Sequence, residues 1–204
     1  MDYFGFFLFV ILEWMLGVPV IFHALNGGRL ILYESFGNRN DDLLIRWVLG
    51  LSVVYMLLMG IMMILANQEA SPIFFWLFML VTGFSLILPA SAKIWRTKNS
   101  YGWRLHRITG VYLLVMVPAH FLFMHLHPAN SHVASVVIAR MQNLFIKFVD
   151  LTLVVSALYH GGFGVISIAR DYVESKMIQT ALALLAILIL VAFAGVGIGL
   201  ILKI

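Results

Sequence analysis

The chain has 204 residues, of which 63% are hydrophobic and only 11% are charged. A soluble domain is typically about 45–50% apolar and about 25% charged, so this composition excludes an ordinary soluble domain and a disordered tail. The net charge of +4 does not indicate a nucleic-acid partner in so apolar a chain. The absence of cysteine excludes a disulfide framework, a zinc–thiolate site and cysteine-ligated iron–sulfur clusters within the chain. The sequence predicts an all-α polytopic membrane protein in which residues 1–204 form a single membrane domain.

Six long apolar runs follow one another along the chain. A helix that crosses the hydrocarbon core needs about 20 apolar residues, and each run reaches that length. The runs do not alternate at period two, as barrel strands do, so the sequence predicts a bundle of transmembrane helices. The predicted spans are about 4–33, 43–66, 72–93, 103–126, 142–170 and 177–203.

The basic residues predict how this bundle lies in the membrane. Ten of the thirteen fall in three connecting segments on one side, namely Arg29, Arg39, Arg46, Lys93, Arg96, Lys98, Arg104, Arg107, Arg170 and Lys176. The other side has Arg140, Lys147 and Lys203. Loops rich in Lys and Arg stay cytoplasmic, so we expect a multi-pass protein of the cell's inner (cytoplasmic) membrane with both termini on the outer side.

Two segments share a pattern in which a histidine is followed four residues later by a glycine. They are His23 with Gly27, and His160 with Gly164. Each histidine lies roughly 15 Å along its helix from the residue ten positions further on, near the cytoplasmic end of its run. The two imidazoles are therefore expected at equal depth. A glycine one turn away on the same face leaves room for a flat macrocycle beside the backbone.

Histidines inside apolar runs are costly and suggest a functional site, although a neutral core histidine bonded to a neighbouring helix is the structural alternative. Zinc would need three or four ligands, and a proton relay would spread His and acids such as Glu13 and Asp150 across the membrane. A bis-histidine haem needs two His at one depth, small residues beside them and cations near the membrane surface. The sequence supplies all three, so the pattern favours haem. His120 also lies inside a run, whereas the outer-loop histidines 125, 127 and 132 are interpreted as solvated.

Three stretches resemble a known family. FHALNGGRLILYESF (22–36) and YGWRLHRITGVYL (101–113) resemble helices of the large cytochrome b anchor subunit of succinate dehydrogenase. ALYHGGFGVISIARDYVESK (157–176) is similar to the small anchor subunit. Residues 98–204 resemble the last three helices of the single-chain dihaem anchors of succinate:menaquinone and fumarate reductases.

The resemblance implies roles for individual residues. It makes His23 and His160 the axial ligands of a haem b, and it places His106 and Arg29 near the haem propionates. His120 falls where dihaem anchors carry a ligand of a second, outer haem. The residues that the resemblance places at a quinone site near the cytoplasmic face are Arg107, Asp171 and Tyr172. Trp103 stands where the family often has a serine of that quinone site.

The resemblance also implies a function. The chain would be the membrane-anchor cytochrome b subunit of a succinate:quinone oxidoreductase of the respiratory chain and tricarboxylic acid cycle. It would pass electrons between an iron–sulfur subunit and menaquinone or ubiquinone, with a flavoprotein, the iron–sulfur subunit and a further small membrane subunit as partners. Two alternatives stay open: a cytochrome b anchor of another quinone-linked dehydrogenase, and a haem-free membrane protein that conducts protons or solutes.

Overall fold

The computed structural model of the chain describes residues 3–38, 40–65, 81, 83–124 and 134–203. Several residues considered above lie outside this described part. They are residues 72–80 and 82 of the third predicted span, Arg39, the outer-loop histidines 125, 127 and 132, and the side chains of Glu13 and Arg140.

Every element of the described part is a helix, which confirms the all-α prediction. The long helices begin and end within three residues of five of the six predicted spans. The elements are α1 (Tyr3–Phe36), α2 (Asp41–Leu65), a π-helical turn (Gly83–Ile87) that leads into α3 (Leu88–Trp95), α4 (Tyr101–Met124), α5 (Ala134–Met141), α6 (Leu144–Tyr172) and α7 (Lys176–Lys203).

Four helical segments of the described part are long and apolar enough to cross a membrane. They are Trp14–Phe36, Asp41–Ile61, Leu144–Tyr172 and Lys176–Leu202. Their side chains are largely unburied within the chain, as expected where lipid rather than protein covers a helix. The chain is thus a multi-pass membrane protein, while the count of six spans and the side of the termini stay predictions.

Helices α1 and α2 form an antiparallel hairpin. Gly37 turns the chain after α1 with a positive φ of 68°, a conformation that glycine adopts without steric cost. Asn40 then begins α2 by accepting a hydrogen bond from the Leu43 N–H (3.4 Å). Further along the hairpin, the Trp14 indole N–H donates to the Met56 carbonyl (2.9 Å). This bond fixes the register of the two helices, because an indole N–H inside a membrane has no water to bind.

Helices α6 and α7 form a second hairpin. Asn143 caps α6 by accepting from the Phe145 N–H (2.9 Å), and the Gln179 amide bridges the turn by donating to the carbonyls of Val173 (2.5 Å) and Arg170 (3.3 Å). Gly162 is buried against the Leu190 side chain, which would lie 2.4 Å from an added Cβ. The absence of a side chain at Gly162 therefore allows α7 to pack closely on α6.

Helix α4 lies between the two hairpins. It packs on α6 and on α1, whereas α1 and α6 share no extensive contact with each other in the described part. A small core joins α1, α3 and α4 through the buried side chains of Ile31, Ala90, Ile94 and Val111. His23 of α1, His106 of α4 and His160 of α6 meet where these three helices come together.

The α1–α2 contact gives a prediction about stability. A Cβ added at Gly60 would lie 2.9 Å from the Trp14 Nε1, and the indole is held in place by its bond to Met56. We expect Gly60→Ala to lower the stability in detergent by about 1–3 kcal/mol, which is typical of overpacking. Thermal unfolding of the purified protein measures the change.

Gly50→Ala on the same helix is the matched control, because nothing lies within 4 Å of an added Cβ there. It should be neutral or slightly stabilising, since alanine favours a helix over glycine by about 1 kcal/mol. Equal losses in the two variants would contradict the proposed close contact of Trp14 with Gly60.

Candidate functional site

Three histidines from three helices meet between α1, α4 and α6. The ring centroids of His23 and His160 lie 6.0 Å apart with an interplanar angle of 76°. His106 stacks on His160 with centroids 4.3 Å apart and planes 12° from parallel. The structure thus brings together the two histidines that the sequence places at equal depth, and it adds a third. Their roles as haem ligands stay predictions.

The orientation of His160 follows from a contact with the main chain of α4. Its Nδ1 lies 3.2 Å from the carbonyl oxygen of His106. A carbonyl oxygen can only accept a hydrogen bond, so the proton of a neutral His160 belongs on Nδ1 and the lone pair on Nε2. Histidines that bind a metal generally donate their other N–H to a carbonyl or carboxylate in this way. The contact therefore leaves the lone pair on Nε2 of His160.

Glycines make room around these rings. A Cβ at Gly110 would lie 3.1 Å from Cε1 of His160, and one at Gly164 would lie 3.7 Å from Nε2 of His106. At Gly27 nothing lies within 4 Å of an added Cβ. The space beside Gly27 is thus open, as expected for a macrocycle, whereas the space beside Gly164 holds the His106 ring instead.

The separation of the His23 and His160 rings fits two imidazole ligands on one iron. Metal–imidazole bonds are about 2 Å long and each ring adds about 1 Å, so two axial imidazoles on one iron have centroids about 6 Å apart. The His23–His160 separation matches this distance, and the two histidines lie on helices that share no extensive contact in the described part. Zinc fits less well, because no group of three or more His, Asp and Glu side chains within the described ranges could hold a metal ion.

Two arginines near the ends of their helices, Arg29 in α1 and Arg107 in α4, form ion pairs. Arg29 pairs with Asp41 at the start of α2 and donates to the Asn26 side chain (3.0 Å). Arg107 binds both carboxylate oxygens of Glu34, through Nε (2.8 Å) and Nη2 (2.9 Å). Sequence reasoning missed Glu34, although an acid directly after the apolar first run is the signal that would have found it.

The predicted quinone-site residues are only partly assembled. The Arg107 guanidinium lies over the Trp103 ring at 5.1 Å, so the tryptophan that replaces the family's serine packs on the arginine. The hydrogen bonds of Arg107 to described residues go to Glu34, so the structure does not join Arg107 to Asp171 or Tyr172. Those two residues end α6, and Tyr172 is 83% exposed.

A second polar cluster lies further along α4 and α6. Nδ1 of His120 is 3.4 Å from Oδ1 of Asp150, and the hydroxyls of Tyr112 and Thr152 are 2.6 Å apart. His120 is 14 residues beyond His106, roughly 21 Å along the helix. The structure therefore pairs the two residues that the sequence assigned to a second haem and to a proton path. It adds Tyr112 and Thr152, which sequence reasoning missed.

Comparison with known proteins gives one match. A family model described as "Succinate dehydrogenase/Fumarate reductase transmembrane subunit" matches residues 88–198. The matched segment is slightly more than half of the chain and contains His106 and His160, whereas His23 lies before it. Neither the curated proteins nor the solved structures include a match.

The Arg107–Glu34 pair gives a prediction about coupling. Both side chains are partly buried, with 20% and 32% of their surface exposed, and the contact is bidentate. We expect a coupling of about 1 kcal/mol, at the upper end of the range of exposed ion pairs. A double-mutant cycle of Glu34→Gln and Arg107→Gln, read by thermal unfolding in detergent, measures it.

The exposed Glu174 provides the control, because Glu174→Gln combined with Arg107→Gln should be additive. A coupling near zero between Arg107 and Glu34 would show that the pair does not join α1 to α4.

Proposed function

The chain belongs to the succinate dehydrogenase/fumarate reductase transmembrane subunit family, and we propose that it is the membrane-anchor cytochrome b subunit of a succinate:quinone oxidoreductase. In this role it anchors the flavoprotein and iron–sulfur subunits to the cytoplasmic membrane and carries the quinone-reactive site. The basic segment 93–107 offers the cytoplasmic surface on which the iron–sulfur subunit docks.

The single observation that carries the proposal is the 6.0 Å separation of the His23 and His160 rings, on two helices that share no extensive contact in the described part. These two imidazoles would hold a haem b as axial ligands. When bound, such a haem supplies a one-electron store beside the path from the iron–sulfur subunit to quinone. The hydrogen bond from Nδ1 of His160 to the His106 carbonyl keeps Nε2 available.

Arg29, on α1, would bind the haem propionates. A guanidinium has five N–H donors, and its contacts with Asn26 and Asp41 leave several of them for an anion. Asp41 also lowers the cost of holding this charge near the membrane surface. Arg29 would therefore offset part of the propionate charge at the cytoplasmic end of the site.

Arg107 and Tyr172 would bind quinone from opposite sides. Reduction of a quinone takes two electrons and two protons, and negative charge develops on its two carbonyl oxygens. The unused N–H donors of Arg107 and the Tyr172 hydroxyl would stabilise that charge by hydrogen bonds, with Asp171 beside Tyr172 as a proton carrier. Tyr172 is exposed in the isolated chain, so in this proposal the docked iron–sulfur subunit closes the pocket.

Haem binding can be tested by substitution of each proposed ligand. We expect His23→Ala and His160→Ala each to abolish the reduced-minus-oxidised α-band of the same b-type haem, because one imidazole alone holds the iron weakly. The measurement is a difference spectrum of the purified complex, with the haem-to-protein ratio. His127→Ala, in the outer loop, is the control and should retain the band.

The outcomes separate the competing functions. Loss of the band in only one of the two variants would show that His23 and His160 are not a pair. Absence of the band from the wild-type complex would favour the alternative of a haem-free membrane protein. A haem-to-protein ratio of two would support a second haem at His120.

The quinone site can be tested apart from the haem. We expect Arg107→Gln to lower succinate-driven quinone reduction by about tenfold or more, in line with the loss of a donor to a developing negative charge. The haem spectrum should not change, since Arg107 is not a proposed ligand.

Arg46→Gln is the matched control, because it removes an exposed charge from α2 and should leave the rate unchanged. Full activity in Arg107→Gln would remove Arg107 from the quinone site. Quinone reduction driven by a donor other than succinate would favour another quinone-linked dehydrogenase.

A further inference from the structure

We propose that His106 is a positioning residue for His160. The imidazole of His106 stacks on that of His160, and the carbonyl of His106 accepts the Nδ1–H of His160, so helix α4 sets both the rotation and the tautomer of this ring. The inference rests on the proposed function, in which His160 is an axial haem ligand. In this inference His106 acts on the ring of the proposed ligand His160, whereas the resemblance places His106 near the propionates.

The stacked geometry is specific to the rotation of His160. The two planes are 12° from parallel at a centroid distance of 4.3 Å, which is a face-to-face contact of aromatic rings. Rotation of His160 about its Cβ–Cγ bond would drive its edge into the His106 ring. The His106 ring also contacts Phe163, at 4.9 Å between centroids, so α6 holds it on more than one side.

The main-chain contact acts independently of the stacking. The His106 carbonyl lies in the middle of a helical turn, and it also accepts a hydrogen bond from the Thr109 hydroxyl (3.0 Å). Its position depends on the α4 backbone and not on the side chain at position 106. Substitution of His106 therefore removes the stacking while the carbonyl remains, so the two contacts can be tested separately.

The surroundings fix α4 against α6 at this level. The Tyr159 hydroxyl donates to the Gly102 carbonyl (3.1 Å), and Gly110 leaves His160 a gap that a Cβ would narrow to 3.1 Å. The His160 ring is thus confined by His106 and by the bare backbone at Gly110. Because both contacts come from α4, a small shift of that helix would turn the proposed ligand.

The rotation of an axial imidazole has a spectroscopic signature. In a low-spin ferric haem, the angle between the two imidazole planes sets the anisotropy of the electron paramagnetic resonance (EPR) signal. The His23 and His160 planes are 76° apart, which predicts a strongly anisotropic signal. If His106 positions the His160 ring, loss of the stacking contact should change this signal. If His106 only stabilises the fold elsewhere, its substitution should leave the signal unchanged.

The test compares His106→Phe and His106→Leu in the complete complex. We expect His106→Phe, which keeps a flat ring, to retain the wild-type haem content and EPR signal. We expect His106→Leu to shift the signal and to weaken haem retention by about tenfold or more, as loss of an outer-shell partner typically does. Haem transfer to an excess of apomyoglobin measures retention.

Two results at position 106 would overturn the inference. One is a His106→Leu complex with the wild-type signal and retention. The other is a His106→Phe complex as disturbed as His106→Leu, which would indicate a polar role such as a propionate contact. Wild-type complex without haem would instead overturn the proposed function and this inference with it, so the two failures are distinguishable.

A second pair of variants decides the matter if His106→Leu does not accumulate in the membrane. Gly110→Ala presses on the His160 ring, whereas nothing lies within 4 Å of a Cβ added at Gly161. A shifted EPR signal in Gly110→Ala alone supports the control of His160 by α4. Unchanged signals in both variants overturn it.

Discussion

An imidazole inside a membrane must find polar partners within the protein, because no water is available to replace them. This requirement governs how α1, α4 and α6 meet. His160 meets it through the main chain of α4, and the rings of His106 and His23 lie against that of His160. The helices approach where glycines allow, at Gly110 and Gly164, so the position of the rings and the packing of the bundle are a single arrangement.

The five residues 106–110 show how a short motif combines these tasks. His106 stacks on His160, Arg107 binds Glu34 of α1, and Ile108 packs against the core shared with α3. The hydroxyl of Thr109 bonds back to the His106 carbonyl, and Gly110 gives His160 its space. Adjacent residues of a helix point in different directions, about 100° apart. One turn of α4 can therefore bind α1 and α6 at once, which explains why these residue types occur together.

The sequence predicts the depth of the histidines along their helices better than it predicts the contacts of the individual side chains. Helical rise along apolar runs is enough to place His23 and His160 at one level, and the structure brings their rings together. The partners of His106 and Arg107 depend instead on how α4 is rotated about its axis. Because α4 carries apolar residues on all sides, hydrophobic periodicity does not determine this rotation. The sequence therefore does not predict the Arg107–Glu34 pair. Tyr172 lies at a helix end whose cover would come from another subunit, which the sequence of this chain does not contain.

The second polar cluster, further along α4 and α6, provides a polar partner for its histidine in a different way. His120 is paired with Asp150, and beside them the Tyr112 hydroxyl meets that of Thr152. A carboxylate partner compensates a buried histidine without any metal, so the cost of placing His120 in the membrane does not by itself require a second haem. Among the residues that the structure describes, no carboxylate pairs with the imidazoles of His23 and His160, whose contacts are with rings and a carbonyl. The two histidine sites therefore differ in how their imidazoles are satisfied, since His120 is paired with a carboxylate and His160 with a main-chain carbonyl.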